Sequence, residues 1–160
     1  MKKLLILLFI SMSGFIYAQE DAANVSYDKY IELLRQDVKA ERVAIVTEVM
    51  DFTDAEGSAF WPLFREYELE ASKLGDERLS IIKDYAANYE NLTDEKAKEL
   101  MERVFKLEEK ENKLRKKYFK KMDKVLSTKR VAKFFQIDNQ INQLIDIQIS
   151  SELPLIDEWK

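Results

Sequence analysis

The segment Tyr89–Leu100, YENLTDEKAKEL, decides the fold of this chain. Thr93 is followed by acidic residues and then by a regular apolar row, the pattern of a threonine that caps a helix N-terminus. Only Asn91 and Leu92 separate this cap from the helical pattern before it. Because so short a connection returns the chain directly, it predicts that the two flanking helices form an antiparallel hairpin.

The helix before this turn is predicted to begin at Thr53 and to reach Tyr89. Thr53 stands three residues before Glu56, the spacing of a capping box, in which each side chain bonds the backbone N–H of the other residue. Gly75 weakens the helix, but the apolar row runs through it, so we expect one continuous helix. That row consists of Phe60, Phe64, Tyr67, Ala71, Leu74, Ile81 or Ile82, Tyr85 and Tyr89.

Two further helices are predicted to flank the hairpin, one over about residues 26–50 and one over about residues 129–150. The first ends at a break formed by Asp51 and Phe52, and the last is capped by Ser127 or Thr128. The apolar positions are Tyr30, Leu33, Leu34, Val38, Ile45, Val49 and Met50 in the first helix, Leu100, Val104, Leu107, Leu114, Tyr118, Met122 and Val125 in the third, and Val131, Phe134, Phe135, Ile137, Ile141, Leu144 and Ile145 in the fourth.

Composition agrees with an all-α fold of about four helices, since glycine and proline are scarce and helix-forming residues abound. Pro154 ends the regular structure. Around it, the apolar Leu153, Leu155 and Ile156 predict a C-terminal segment that packs on the helices.

A proline lies inside the second helix, in the stretch Phe52–Glu68, FTDAEGSAFWPLFREYE. Pro62 has no N–H for the carbonyl of Ser58 and its ring crowds that carbonyl, so we expect a kink, at a cost of about 3 kcal/mol. The kink either wraps the helix around its neighbours or shapes a concave aromatic surface, and the two interpretations are compatible. The aromatic residues concerned are Phe60, Trp61, Phe64 and Tyr67.

The N-terminus has the layout of a secretory signal. Lys2 and Lys3 precede the apolar run LLILLFI, and SMSGFIYA then leads to Ala18. We expect cleavage after Ala18, although Ile16 is bulky for its position and a membrane-anchored form is the alternative. Removing residues 1–18 leaves about 140 residues, enough for one helical domain over residues 19–160, which we place in a bacterial periplasm.

The residues that are missing exclude several kinds of chemistry. The chain has no His and no Cys, which are the usual ligands of zinc, copper and nickel and the usual members of nucleophilic triads. After signal removal only Gly57 and Gly75 remain, so there is no glycine-rich phosphate loop. We therefore expect no enzyme, no catalytic residue, no metal and no cofactor.

One segment is strongly basic: Lys110–Lys124, KENKLRKKYFKKMDK. Four of its lysines share a helical face, beside the apolar Tyr118; they are Lys113, Lys117, Lys120 and Lys124. This face is either solvated and paired with nearby glutamates or a surface for anionic polymers, lipid headgroups or acidic unfolded segments. Nucleic acid is not expected, given the compartment and the formal net charge of −4.

Two helix starts of one form, FTDAE and LTDEK, lie forty residues apart in this short, secreted, helical sequence. This resembles the Spy and CpxP group of periplasmic proteins, whose hallmark is a repeated LTxxQ motif, although Glu56 and Lys96 stand where that motif has Gln. FWPLFREYE and AKFFQIDNQI look more like a family of uncharacterised secreted bacterial proteins. The resemblance implies a long bent hairpin with flanking helices and cradle-shaped dimers that act as ATP-independent chaperones or envelope-stress proteins.

Three functions therefore stand as predictions. The protein binds unfolded or partly folded envelope proteins as a chaperone, or it is a regulator or adaptor with one membrane-protein partner, or it is a structural envelope protein. A homodimer is expected. The apolar face of the hairpin is narrow for the hairpin's length, so the fold leaves apolar surface that a second copy can cover. Thr53, Glu56, Pro62 and Thr93 are expected to have structural roles.

Overall fold

A computed structural model of the protein describes residues 39–156. The chain divides into two compact units, Met1–Ile45 and Val46–Lys160, and every contact given below lies within the second. The predicted signal peptide, its cleavage site and the start of the first helix, with Tyr30, Leu33, Leu34 and Val38, lie outside the described residues. The prediction of one domain over residues 19–160 stays a prediction.

The described residues form four α-helices and no strand, which confirms the predicted all-α class for this part of the chain. We call residues 39–50 helix α1. Helix α2 is Asp54–Asn88, α3 is Asp94–Met122 and α4 is Thr128–Glu152. A single 3₁₀ turn, Tyr89–Asn91, follows α2.

Each of the last three helices begins at a side-chain cap. The Thr53 hydroxyl accepts a hydrogen bond from the backbone N–H of Glu56, and the Glu56 carboxylate accepts one from the backbone N–H of Thr53, so the predicted capping box is present. Thr93 caps α3 by accepting from the N–H of Lys96, and Ser127 caps α4 in the same way. Each cap satisfies an N–H that the helix itself cannot pair.

Helix α2 is continuous through Pro62 and Gly75. Its 35 residues correspond to about 52 Å of length. Both of these helix-weakening residues are exposed. The apolar face of α2 therefore holds the helix together where local propensity is poorest.

Ion pairs fix how α2 and α3 lie against each other. The pairs are Glu66–Lys121 at 2.8 Å, Glu70–Lys117 at 2.7 Å, Glu77–Lys110 at 2.7 Å and Asp84–Arg103 at 2.5 Å. Residue numbers rise along α2 as they fall along α3. The first two pairs are exposed, and such pairs contribute about 0–1 kcal/mol each. The pairs Glu77–Lys110 and Asp84–Arg103 are half-buried. All four mark the register of the two helices.

Helix α4 runs in the same direction as α2. Near its start the Phe134 ring contacts Phe60, with centroids 5.1 Å apart. One turn later Asp138 accepts a hydrogen bond of 2.8 Å from the Tyr67 hydroxyl. Further along, Arg78 of α2 forms an ion pair with Asp146.

The largest core cluster lies where α1 ends, α2 and α4 begin and α3 ends. Its buried members are Val46, Met50, Phe60, Phe64, Tyr67, Leu114, Tyr118, Met122, Leu126, Val131, Phe134 and Ile137. A smaller cluster near the turn between α2 and α3 consists of Ile81, Leu100 and Leu107. Full burial of one large apolar side chain stabilises a fold by about 1.5–3 kcal/mol, so the first cluster supplies most of the apolar stabilisation.

The predicted apolar face of α1 is partly wrong. Met50 is fully buried as expected, but its partner one turn earlier is Val46, which is also fully buried. Ile45 and Val49 are 39% and 42% exposed. The pairs Ile45–Val49 and Val46–Met50 have the same spacing of four residues. Consecutive residues differ by about 100° around a helix, so the two pairs point in different directions and only packing decides which pair faces inward.

Four predicted positions toward the chain's end also differ, namely Val125, Leu144, Leu155 and Ile156. Helix α3 ends at Met122, before the predicted Val125, and the following turn leaves Val125 exposed while Leu126 is buried. Leu144 on α4 is exposed as well. The backbone of the C-terminal segment contacts α2 and the 3₁₀ turn, since the Tyr85 and Tyr89 hydroxyls donate to the carbonyls of Pro154 and Leu155. Leu153 is half-buried, whereas the side chains of Leu155 and Ile156 are exposed.

Candidate functional site

An open groove of about 720 Å³ lies where α1 ends and α2 begins. Apolar, polar and charged side chains line it together. They are Thr47, Asp51, Phe52, Thr53, Asp54, Gly57, Ser58, Trp61, Pro62 and Arg65. The groove is thus built largely from the first three turns of α2 and the residues that connect α1 to it.

Trp61 is the largest side chain in the groove. It is half-buried, and a cluster of aromatic rings holds it in edge-to-face contacts: Phe52 at 6.3 Å, Phe60 at 5.2 Å and Phe64 at 5.3 Å between ring centroids. Gly57 lies beneath it, where an added methyl group would stand 3.5 Å from the indole nitrogen. The indole is therefore fixed by packing while part of it remains open to the groove.

Pro62 and Arg65 supply the other features of this surface. Pro62 is exposed and lacks an N–H, so the carbonyl of Ser58, a residue that lines the groove, receives no hydrogen bond from residue 62. Arg65 is exposed and adds a guanidinium, whereas Asp51 and Asp54 add carboxylates. An aromatic face, a backbone acceptor and charges of both signs can together bind an extended polypeptide segment.

Arg130, at the start of α4, fixes the wall of the groove. Its guanidinium donates to Glu56, to the carbonyl of Met50 at the end of α1 at 2.7 Å, and to the carbonyl of Asp51, the residue after α1, at 3.0 Å. Lys133 donates to the carbonyl of Val49 at 2.5 Å. The final carbonyls of a helix have no partner within it, so α4 satisfies the end of α1 and holds it beside α2.

The electrostatics of this junction follow from the same contacts. Arg130, and next the backbone N–H of Thr53, lower the pKa of Glu56 from 4.5 to about 2. Phe52 lies under the guanidinium, which is 5.4 Å from the ring centroid. Asp51 adopts a φ of 45°, a left-handed conformation that ends α1 and turns the chain toward α2.

Of the aromatic residues predicted to bind, only Trp61 reaches the groove. Phe60, Phe64 and Tyr67 are at most 3% exposed, and Tyr118 is fully buried. These four side chains are core residues in the structure, so they support the site from below. Of the two interpretations of the aromatic stretch around Pro62, packing against neighbouring helices describes Phe60, Phe64 and Tyr67. A binding surface has to be built from Trp61 and its exposed neighbours.

The four predicted lysines are not equivalent. Lys117 is bound to Glu70, which also accepts a hydrogen bond of 2.7 Å from the Tyr118 hydroxyl. Lys117, followed by Tyr118, lowers the pKa of Glu70, while burial and then Glu70 raise the pKa of Tyr118. Lys117 is thus part of the contact between α2 and α3. The other three, Lys113, Lys120 and Lys124, are exposed, and Lys113 lies 3.8 Å from Glu109.

The sequence contains a signal for the role of Arg130. Lys129 and Arg130 stand in the first turn of α4, which has no acidic residue. Cations are disfavoured at a helix N-terminus by the helix dipole. A cation there indicates a partner elsewhere in the fold, and the partner in this case is Glu56 together with the end of α1.

Comparison of the chain with protein-family models, curated proteins and solved structures found no match. The resemblance to the Spy and CpxP group therefore stays a prediction. In the part of the chain that the structure describes, no helix combines the length and the apolar character needed to cross a membrane. The same residues include no group of three acidic side chains placed to hold a metal ion.

Proposed function

We propose that this protein is a periplasmic helical binding protein that acts as an ATP-independent chaperone of the Spy and CpxP kind. Its clients are unfolded or partly folded envelope proteins. The form proposed to do this is a mature chain cut after Ala18, in which α2 and α3 make a long bent antiparallel hairpin flanked by α1 and α4. Two such chains form a homodimer.

The groove at Trp61 is the observation that carries this proposal. Binding sites for one small molecule enclose their ligand, whereas this groove is open and mixes an aromatic ring with charges of both signs. Such a surface gains from stacking on Trp61 and from hydrogen bonds to the client backbone, neither of which requires one client sequence. It suits weak binding of many unfolded segments.

The exposed lysines of α3 supply a second contribution. Lys120 and Lys124 have no ion-pair partner among the described residues, and Lys113 is only loosely paired. Their charge attracts acidic segments of a client over the Debye length of about 10 Å at 0.1 M salt. This attraction raises the rate of encounter and weakens as salt is added.

The test is an aggregation assay on a chemically unfolded client, followed by light scattering with the parent and two variants. Trp61→Ala and Pro62→Ala should both protect less, because one removes the stacking surface and the other restores an N–H that competes for the Ser58 carbonyl. Leu69→Ala is the matched control, since Leu69 lies on the same helix and is 64% exposed. Circular dichroism establishes that each variant remains folded.

The outcomes also separate the alternatives. Protection of several unrelated clients supports the chaperone. Failure to protect any client, with saturable capture of one membrane-protein domain, supports the regulator or adaptor. A protein that does neither fits the structural envelope role. If both folded variants protect as well as the parent, Trp61 and Pro62 have no part in client binding.

A further inference from the structure

The outer side of α4 carries a row of exposed residues that is apolar at its centre and polar at its two ends, and we call this row the seam. Leu144 and Ile147 are 69% and 64% exposed, and Gln140 and Ser151 extend the row, also exposed. The spacing along the row is four, three and four residues, which keeps all four positions within one stripe of the helix. This is the spacing at which one helix packs along another.

The seam also differs from the rest of the surface in charge. Charged residues make up 35% of the chain, yet Asp146 is the only one between Asn139 and Ser151. Asp146 is itself bound by Arg78 of α2. Depletion of charge is the compositional mark of the buried centre of a protein interface. The seam therefore has the composition of a contact surface and not that of a solvated helix face.

We propose that a second copy of this chain covers the seam, with the two α4 helices antiparallel about a two-fold axis. The spacing reads the same in both directions, so antiparallel pairing places Leu144 of one copy against Ile147 of the other. The same operation places Gln140 against Ser151. Each contact is made twice, as an isologous interface requires. The inference rests on the homodimer of the proposed function and adds the face through which it forms.

Two features favour a second copy over a lipid surface as the occupant. The chain has a formal net charge of −4, so two copies carry the same sign of net charge, but the four positions of the seam bring no like charges together. Helices that lie on membranes border their apolar face with Lys and Arg. Between Asn139 and Ser151 there is neither.

Charge substitutions test both the face and its direction by sedimentation equilibrium across a concentration series. Leu144→Lys and Ile147→Glu should each raise the dimer dissociation constant by about tenfold or more, because each buries an unpaired charge. The double variant Leu144→Lys with Ile147→Glu should recover dimerisation, since each lysine then faces a glutamate of the other copy. In a parallel pairing it would place like charges together and recover nothing.

Leu69→Lys is the matched control, because Leu69 on α2 is as exposed as Ile147 and should leave the dimer unchanged. The inference is wrong if the parent is a monomer throughout, if either single variant dimerises like the parent, or if the double variant stays as weak as the single ones. Client protection measured on the same samples separates the two proposals. The Trp61→Ala variant should lose protection and keep the dimer. If instead the parent is a monomer and the Leu144→Lys variant loses protection, the seam binds clients and not a second copy.

Discussion

The guanidinium of Arg130 binds both carboxylate oxygens of Glu56, with Nε 2.9 Å from Oε1 and Nη2 2.7 Å from Oε2. Glu56 also completes the capping box of α2, and Arg130 also caps the end of α1. One ion pair between residues 74 positions apart therefore joins the end of one helix to the starts of two others. The groove at Trp61 lies on this junction.

Replacing Arg130 should destabilise the protein in a pH-dependent way. Arg130→Gln should lower the melting temperature at neutral pH, and Arg130→Lys should restore only part of it, because an ammonium cannot form the two parallel bonds. The pKa of Glu56 is lowered from 4.5 to about 2, so its stabilisation is complete above pH 4.5 and is lost as the pH falls toward 2. Thermal unfolding at several pH values should show that the difference in melting temperature between the parent and Arg130→Gln shrinks as the pH falls through that window. An advantage independent of pH would contradict the pairing.

Gly75→Ala should raise the free energy of unfolding by about 1 kcal/mol, which is the difference in helix propensity between the two residues. Gly75 is exposed in the interior of α2, and no atom lies within 4 Å of the position that a methyl group would take. Urea unfolding of the parent and variant measures the change. A destabilised variant would mean that α2 is not a regular helix at this residue.

Tyr67→Phe should lower the free energy of unfolding by about 1–3 kcal/mol, because it removes a donor from the buried Asp138 carboxylate. Tyr85→Phe is the control, since its hydroxyl donates to the carbonyl of Pro154 in an exposed setting, and we expect about 0.5 kcal/mol or less. Urea unfolding curves compare the two. Equal losses would show that burial of Asp138 does not strengthen its hydrogen bond.

The helix starts could be predicted because each depends on residues close in sequence. Thr53, Thr93 and Ser127 all accept from an N–H three residues later, so spacing alone identifies them. The continuity of α2 through Gly75 was likewise visible in its apolar row.

The contacts that build the groove could not be predicted in this way. Arg130 finds Met50 across 80 residues, and no local pattern encodes that distance. The inward face of α1 was ambiguous for the same reason, since Val46 and Ile45 begin equally regular rows and packing selects Val46. Burial of Tyr118 and the pairing of Lys117 also follow from how α3 lies on α2.

The fluorescence of Trp61 tests the central claim most directly. The chain has two tryptophans, so a Trp159→Phe background leaves Trp61 as the single reporter of the groove. If the groove binds unfolded client, the emission of Trp61 should shift to shorter wavelength in a saturable way as unfolded client is added. The emission should not change when the same client is added in its native fold. An unchanged emission under conditions where the client is protected from aggregation would contradict the account, because the client would then bind elsewhere.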